Sequence, residues 1–275
     1  MKKKLFILFV YTNILWCHGI LDYRIEYITH KINHSSNHYI LYLQRGELYI
    51  EAKLYDKAYK DFKKASQDTK YNLITKFYFT KINLLRHNYI KAEKGLQNLI
   101  NHYPDNHLNH IYYKQLINTY IAMHKEKKAI KIYEIFMKKA PSLITTKDYI
   151  RLSDLLRKNK FYTKAIIVLN QAINRFSHLS LFVEKKIKIN IQIKAYKNAL
   201  SDIDFLIKQK KRLPFLYIQK GQIYQKVHNS KLALINYEKS LKTLESMPNH
   251  QRNIPIIKKL KQQLLKDIKS LTETM

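Results

Sequence analysis

One alanine, kept six times at a nearly constant interval, constrains this chain more than anything else in it. The segments LYDKAYKDFKKA, NYIKAEKGLQNL, KEKKAIKIYEIF, FYTKAIIVLNQA, AYKNALSDIDFL and NSKLALINYEKS each carry alanine at the fifth place. An apolar residue follows four and seven or eight places later. The alanines are Ala58, Ala92, Ala129, Ala165, Ala199 and Ala233, at intervals of 34, 37, 36, 34 and 34 residues. Self-similarity at such a period marks stacked helix-turn-helix units. Two helices of about 14 residues joined by short turns fill it. Two antiparallel helices approach closely only where one presents almost no side chain, and the alanine supplies that place. The aromatic or leucine four residues on fills the wedge beside it, on the same helix face. One pair cannot bury its apolar face alone, so neighbours must stack into a continuous core.

Composition points the same way. Four Gly and five Pro in 275 residues leave little material for tight strand hairpins or for a glycine loop that cradles phosphate. A hydrophobic content of 46% is ample for a core.

Beyond the alanines, the first segment, YILYLQRGELYIEAKLYDKAYKDFKKA, carries Tyr42, Gly46, Tyr49, Phe62 and Ala65. The sixth repeats the set as Tyr217, Gly221, Tyr224, Tyr237 and Ser240. The third has Tyr113, Leu116, Tyr120, Tyr133, Phe136 and Pro141. The second keeps Leu96, Leu99 and Pro104, and the fourth keeps Tyr149, Leu152, Leu156, Leu169 and Ala172. On these residues the chain from about 39 to 244 resembles the tetratricopeptide repeat (TPR) family.

The resemblance implies an all-α fold, a right-handed α-solenoid of about six TPR helix pairs with N- and C-terminal capping helices. The pairs are expected at 39–72, 73–109, 110–145, 146–179, 180–213 and 214–246. The small helix-A residue of the family is Gly46 and Gly221 here, but Thr80, Ile117 and Ile187 stand in its place in the second, third and fifth pairs. These departures predict locally wider helix pairs. Leu21, Ile25, Ile28 and Ile32 predict an N-terminal capping helix over 20–36. Ile256, Leu260, Leu264 and Ile268 form an i,i+4 stripe on a C-terminal capping helix over 254–272, after Pro248 and Pro255.

The N-terminus, MKKKLFILFVYTNILWCHG, has three lysines and then an apolar run from Leu5 to Trp16. That is the pattern of a secretory signal over 1–19, cut after Gly19 or, as a second choice, after Cys17. It predicts an exported chain, periplasmic or extracellular. Cys17 is the only cysteine, and the bulky Trp16 before it disfavours the alternative of lipid anchoring through Cys17. A chain cut beyond it has no thiol for a disulfide, a nucleophile or a metal.

The formal net charge is +31, with lysines spread along the whole chain. Two causes stand open: attraction to a polyanion or an anionic surface, and the Lys, Ile, Asn, Tyr and Phe usage of an AT-rich genome. Nucleic acid is not expected as a partner of an exported chain.

Nothing in the sequence is arranged for chemistry. There is no Gly-x-Ser-x-Gly, no phosphate loop and no His-Glu-x-x-His. His30, His34 and His38, and His102, His107 and His110 with Asp105, have spacings that could hold zinc. The asparagines interleaved with them read as polar loop filler. Asp202 and Asp204 read as a pair on a solvated face. No catalytic, cofactor or metal site is assigned, and the chain is read as a non-enzyme.

The TPR resemblance locates a groove instead, lined by five helix-A positions per pair. By register the first pair gives Ile40, Leu43, Glu47, Ile50 and Glu51, and the second gives Ile74, Phe77, Lys81, Leu84 and Leu85. The third gives Ile111, Lys114, Asn118, Ile121 and Ala122, and the fourth Lys147, Ile150, Asp154, Arg157 and Lys158. An apolar stretch therefore precedes a basic one. Lys114 and Asn118 match half of the family's clamp for a C-terminal carboxylate, with Lys147 and Arg151 in the next pair; Asp154 departs from it. The resemblance implies a protein- or peptide-binding scaffold of the bacterial envelope, taking an acidic or C-terminal peptide. Charge-driven binding to an anionic envelope surface and an envelope-assembly lipoprotein are the alternatives.

Overall fold

The structure, a computed structural model, describes residues 19–35, 38–104, 106–176, 179–209 and 213–273. The leader as far as His18, Cys17 and Asp105 lie outside them. The described residues form fifteen α-helices and no strand. The chain divides into two compact units, the first ending at Leu143 and the second starting at Ile144.

In the first unit, α1 (residues 19–33) precedes three helix hairpins. These are α2 (Tyr39–Glu51) with α3 (Tyr55–Ala65), α4 (Asn72–Leu85) with α5 (Tyr89–His102), and α6 (Asn109–Ala122) with α7 (Glu126–Lys139). The second unit pairs α8 (Thr146–Lys158) with α9 (Tyr162–Arg175), α10 (Leu179–Gln192) with α11 (Tyr196–Lys208), and α12 (Leu213–Lys226) with α13 (Ser230–Glu245). A short α14 (Asn249–Arg252) and a long α15 (Pro255–Glu273) follow. Within each unit, α3 packs on α4, α5 on α6, α9 on α10 and α11 on α12, so successive hairpins stack.

All six repeat alanines are fully buried. Five residues before each lies a residue in the left-handed region: Lys53, His87, His124, Lys160, Lys194 and His228, with φ between 55° and 62°. Each ends the first helix of a hairpin. The amide one residue later donates back across the turn, as Leu54 N to Tyr49 O at 2.8 Å and Lys125 N to Tyr120 O at 2.8 Å. This is the Schellman closure, which satisfies the last helical carbonyls and reverses the chain. Glycine is the usual occupant of such a place, yet none of the six is glycine. Three of the four glycines sit inside helices instead, at hairpin contacts.

Gly46 faces the ring of Phe62, whose nearest atom would lie 2.5 Å from an added Cβ. Gly221 faces Tyr237 in the same way. In the second hairpin the roles reverse: Thr80 fills the small-residue place of the first helix, and Gly95 on the second helix makes room for it. The hairpins α2/α3 and α12/α13, with glycine on the first helix, are the two most extensively packed pairs. The other four hairpins pack less extensively, the fourth among them although it has the small Ser153 in the glycine's register, so bulk at that place does not by itself set the contact.

The first unit has a largely aromatic core. Phe62 stacks on Tyr78 at 4.4 Å between ring centres, Phe77 meets Tyr112 at 5.5 Å, and Tyr113 meets Phe136 at 5.7 Å. The cores of the second unit are mainly aliphatic, built on Val183, Ile187, Ile203 and Leu206, and on Leu244, Leu264 and Leu271 around Tyr237. A buried ion pair ties three elements of the first unit. Arg45 on α2 donates from Nε to Asp61 on α3 at 2.7 Å and from Nη2 at 2.9 Å, while Nη1 donates to Thr29 on α1 at 3.0 Å.

The C-terminal stripe needs a correction. Ile256 is 70% exposed. The packed face of α15 runs through Ile257, Leu260, Leu264, Ile268 and Leu271 against α13. A strict four-residue step drifts around a helix with 3.6 residues per turn, so its first member falls off the buried face.

Candidate binding surface on the first helices of the hairpins

In the first unit, α2, α4 and α6 carry the groove register. Leu43 belongs to the buried core, and Ile50, Ile74 and Phe77 are half-buried against the same cluster. Ile40 and Leu85 are each 39% exposed. Glu47 sits among them. Burial pushes its carboxyl above the ordinary range, the Lys81 ammonium pulls it back, and Glu51 adds to the rise. Lys81 Nζ lies 5.7 Å from the Tyr78 ring centre, and Lys114 Nζ lies 5.7 Å from that of Phe136. Such cations over aromatic faces hold their stems against the protein. Asn118 is exposed on α6.

In the second unit, α8 carries Lys147, Arg151, Asp154 and Arg157. Lys147 and Arg157 are exposed and Arg151 is half-buried. Lys185 of α10 places Nζ 2.7 Å from both Asp154 oxygens, which removes one positive and one negative charge from this face. Arg157 Nη1 donates to Gln192 Oε1 at 3.5 Å, and Gln192 Nε2 donates to the Tyr162 hydroxyl at 3.0 Å. Asp154 stands where a carboxylate clamp needs a donor. It is an acceptor, already taken by a lysine. Lys114 and Asn118 belong to the first unit, Lys147 and Arg151 to the second.

His30, His34, His102 and His110 have ordinary partners, whereas His38 Nδ1 is buried without a hydrogen-bond partner among the described residues. His30 and His34 stack at 4.2 Å, and His34 Nδ1 donates to His30 O at 2.8 Å. His102 Nδ1 bonds Asn98 O and His110 Nδ1 bonds His107 O. Among the described residues, no three His, Cys, Asp or Glu side chains are grouped to hold a metal. Of the two aspartates of α11, Asp204 keeps 47% of its side chain exposed, but Asp202 does not lie on a solvated face. Asp202 is only 15% exposed and lies 2.8 Å from Lys186 of α10, and Asp204 pairs with Lys220 of α12. Both join neighbouring helices of the stack.

The same arrangement of hairpins recurs in solved structures. The C-terminal part of a TPR repeat-containing protein from Cytophaga hutchinsonii matches with a TM-score of 0.60 at 19% identity, over 85% of this chain and 94% of that one. The fold is that of a tetratricopeptide repeat protein. A chain in the structure of Naa15/Naa10 bound to HypK-THB matches with a TM-score of 0.61 at 13% identity, over 90% of this chain but 36% of the other. A MamA protein matches at 0.50 and 14% identity, over 67% of this chain and 97% of that one. No protein-family model and no curated protein matches the sequence.

Two features of the TPR stack escape the sequence pattern. The left-handed turns are invisible because lysine and histidine fill them; their only signal is a fixed place five residues before each alanine. The other is a polar cluster joining the second and third hairpins. Tyr120 donates to Glu93 at 3.0 Å, Gln97 donates to the Tyr120 hydroxyl at 3.0 Å, and Lys128 and Lys125 reach Glu93 at 3.2 and 3.5 Å. Burial acts to raise the Glu93 carboxyl, but the Tyr120 bond and the two lysines outweigh it and hold it below the usual range. Burial, with the bond to Glu93, pushes Tyr120 up to about 12.

Proposed function

We propose that this chain is a non-catalytic protein-interaction scaffold of the bacterial envelope, binding a protein or peptide segment on the first-helix faces of its hairpins. One observation carries the reading. Ile40 and Leu85 remain open on the row that includes α2 and α4, beside half-buried Ile74 and Phe77. Apolar side chains along this row with a few placed charges suit an apolar segment carrying an acidic residue for Lys81 or Lys114. Export rests on the leader pattern of residues 1–19.

The net charge of +31 favours a second reading, attachment to an anionic envelope surface. Salt separates the two, because counterion release makes polyanion binding fall steeply as salt rises. A photo-cross-linking residue placed at Ile40 or Leu85, and separately at exposed Tyr59 on α3, tests the scaffold in cells and at raised salt. The proposal expects one protein adduct from the first two positions, persisting at high salt, and none from Tyr59. Equal adducts from all three, lost with salt, would favour the surface reading. Mass spectrometry of the mature N-terminus separates a free Ile20 from a diacylated Cys17.

A further inference from the structure

On the opposite side of the first unit, α5 and α7 form the walls of a cleft and α6 its floor. Its volume is about 420 Å³, within the range of small-ligand pockets. Tyr113 and Leu116 make the floor, Ile100 and Pro104 one wall, and Ile132 and Ile135 the other. Lys139 stands at the rim with the carboxamides of Gln97 and Asn101, and among the described residues no acidic side chain lines the cleft. Among the described residues Lys139 has no ion-pair partner.

The repeat itself does not call for this apolar wall. Ile132 stands three residues after its alanine, where other hairpins have Asp61, Gly95, Val168, Asp202 and Asn236. Ile135 stands six after it, where the others have Lys64, Asn98, Gln171, Phe205 and Lys239. Only the third hairpin is apolar at both places. The longest alanine interval, 37 residues, separates α5 from α7 in register and places Pro104 at the cleft.

We propose that this cleft binds one alkyl chain of an amphiphile with an anionic head: the chain lies along Ile100, Leu116, Ile132 and Ile135, and the head pairs with Lys139. A cleft of about 420 Å³ accommodates one alkyl chain, not a helix. The rim cation selects the sign of the head. The chain can come from a free fatty acid or from a lipid of a bilayer.

Dodecanoate, dodecyltrimethylammonium and butyrate are the probes, titrated into the full-length protein below their micelle concentrations by calorimetry. Because a chain of this charge attracts any anion, the isoleucine pair decides. Ile132→Asn with Ile135→Lys installs side chains that other hairpins hold at the same places, and circular dichroism checks its helices. Expected are saturable dodecanoate binding, a loss of at least tenfold in that double variant and in Lys139→Glu, and no comparable binding of butyrate or the cationic amphiphile. Vesicles of phosphatidylglycerol, in a parallel arm, assign the source. Binding to them that needs the two isoleucines means a bilayer lipid, and binding to dodecanoate alone means a free acid. Absent dodecanoate binding, binding indifferent to Ile132 and Ile135, or preference for the cationic head would overturn the proposal.

Discussion

The hairpins α2/α3 and α4/α5 solve one packing problem in opposite ways. In the first, glycine is on the leading helix and the Phe62 ring fills the space; in the second, Thr80 takes the glycine's register and Gly95 on the trailing helix yields. The exchange has a consequence. Gly95 occupies the register of Asp61, and Phe79 that of Arg45, so the second hairpin has no counterpart of the buried pair that ties α1, α2 and α3. What the architecture requires is the close approach. Which helix gives way is free, provided the facing side chain changes with it.

The largest expected effect lies in that missing pair. Asp61→Ala leaves Arg45 charged and buried without its partner, a loss of about 3–5 kcal/mol. Urea denaturation of the full chain measures it. The glycine contacts come next. Gly46→Ala gains helix propensity but drives a methyl into Phe62, which is fully buried and stacked on Tyr78. Overpacking costs about 1–3 kcal/mol, against about 0.5–1 gained from replacing a helical glycine, so the variant is expected to be less stable. Gly221→Ala behaves alike through Tyr237.

The two hairpins also differ in their glutamates, and pH exposes it. Glu93 is held low in the folded state. Its contribution is fully present above the unfolded carboxylate pKa and disappears as pH falls through the folded value. Glu93→Gln is therefore destabilising at neutral pH, with a deficit that shrinks in acid. Glu47 is raised by burial, so its ionised form is unfavourable once pH exceeds the folded pKa. Glu47→Gln is expected to gain stability at neutral pH and lose that advantage in acid. Denaturation at several pH values reads both signs. The smallest effect is at the turns, where Lys53→Gly or His87→Gly relieves a left-handed side chain and raises stability by about 1 kcal/mol.

The sequence reveals what a single helix face can carry. An alanine with an aromatic or leucine four residues on is a property of one strip of chain, so the six hairpins and their order are readable before any contact is known. Pairings across a hairpin are not. Arg45 and Asp61 are sixteen residues apart, and nothing in either segment marks them as partners. Thr80 reads as a departure until Gly95 is seen beneath it. Asp202 reads as a surface residue because its partner, Lys186, comes from the neighbouring helix and sixteen residues away. The groove positions follow from family register alone, and that register does not distinguish an available acceptor from one already engaged, as Lys185 engages Asp154.

A double-mutant cycle at Thr80 and Gly95 tests most directly whether complementary bulk holds these hairpins together. Gly95→Ala is expected to destabilise the chain by about 1–3 kcal/mol on its own, as overpacking does. With Thr80→Gly already present, the added methyl has room, and most of that loss should vanish. Two losses that simply add, within about 0.5 kcal/mol as for independent sites, would contradict the account.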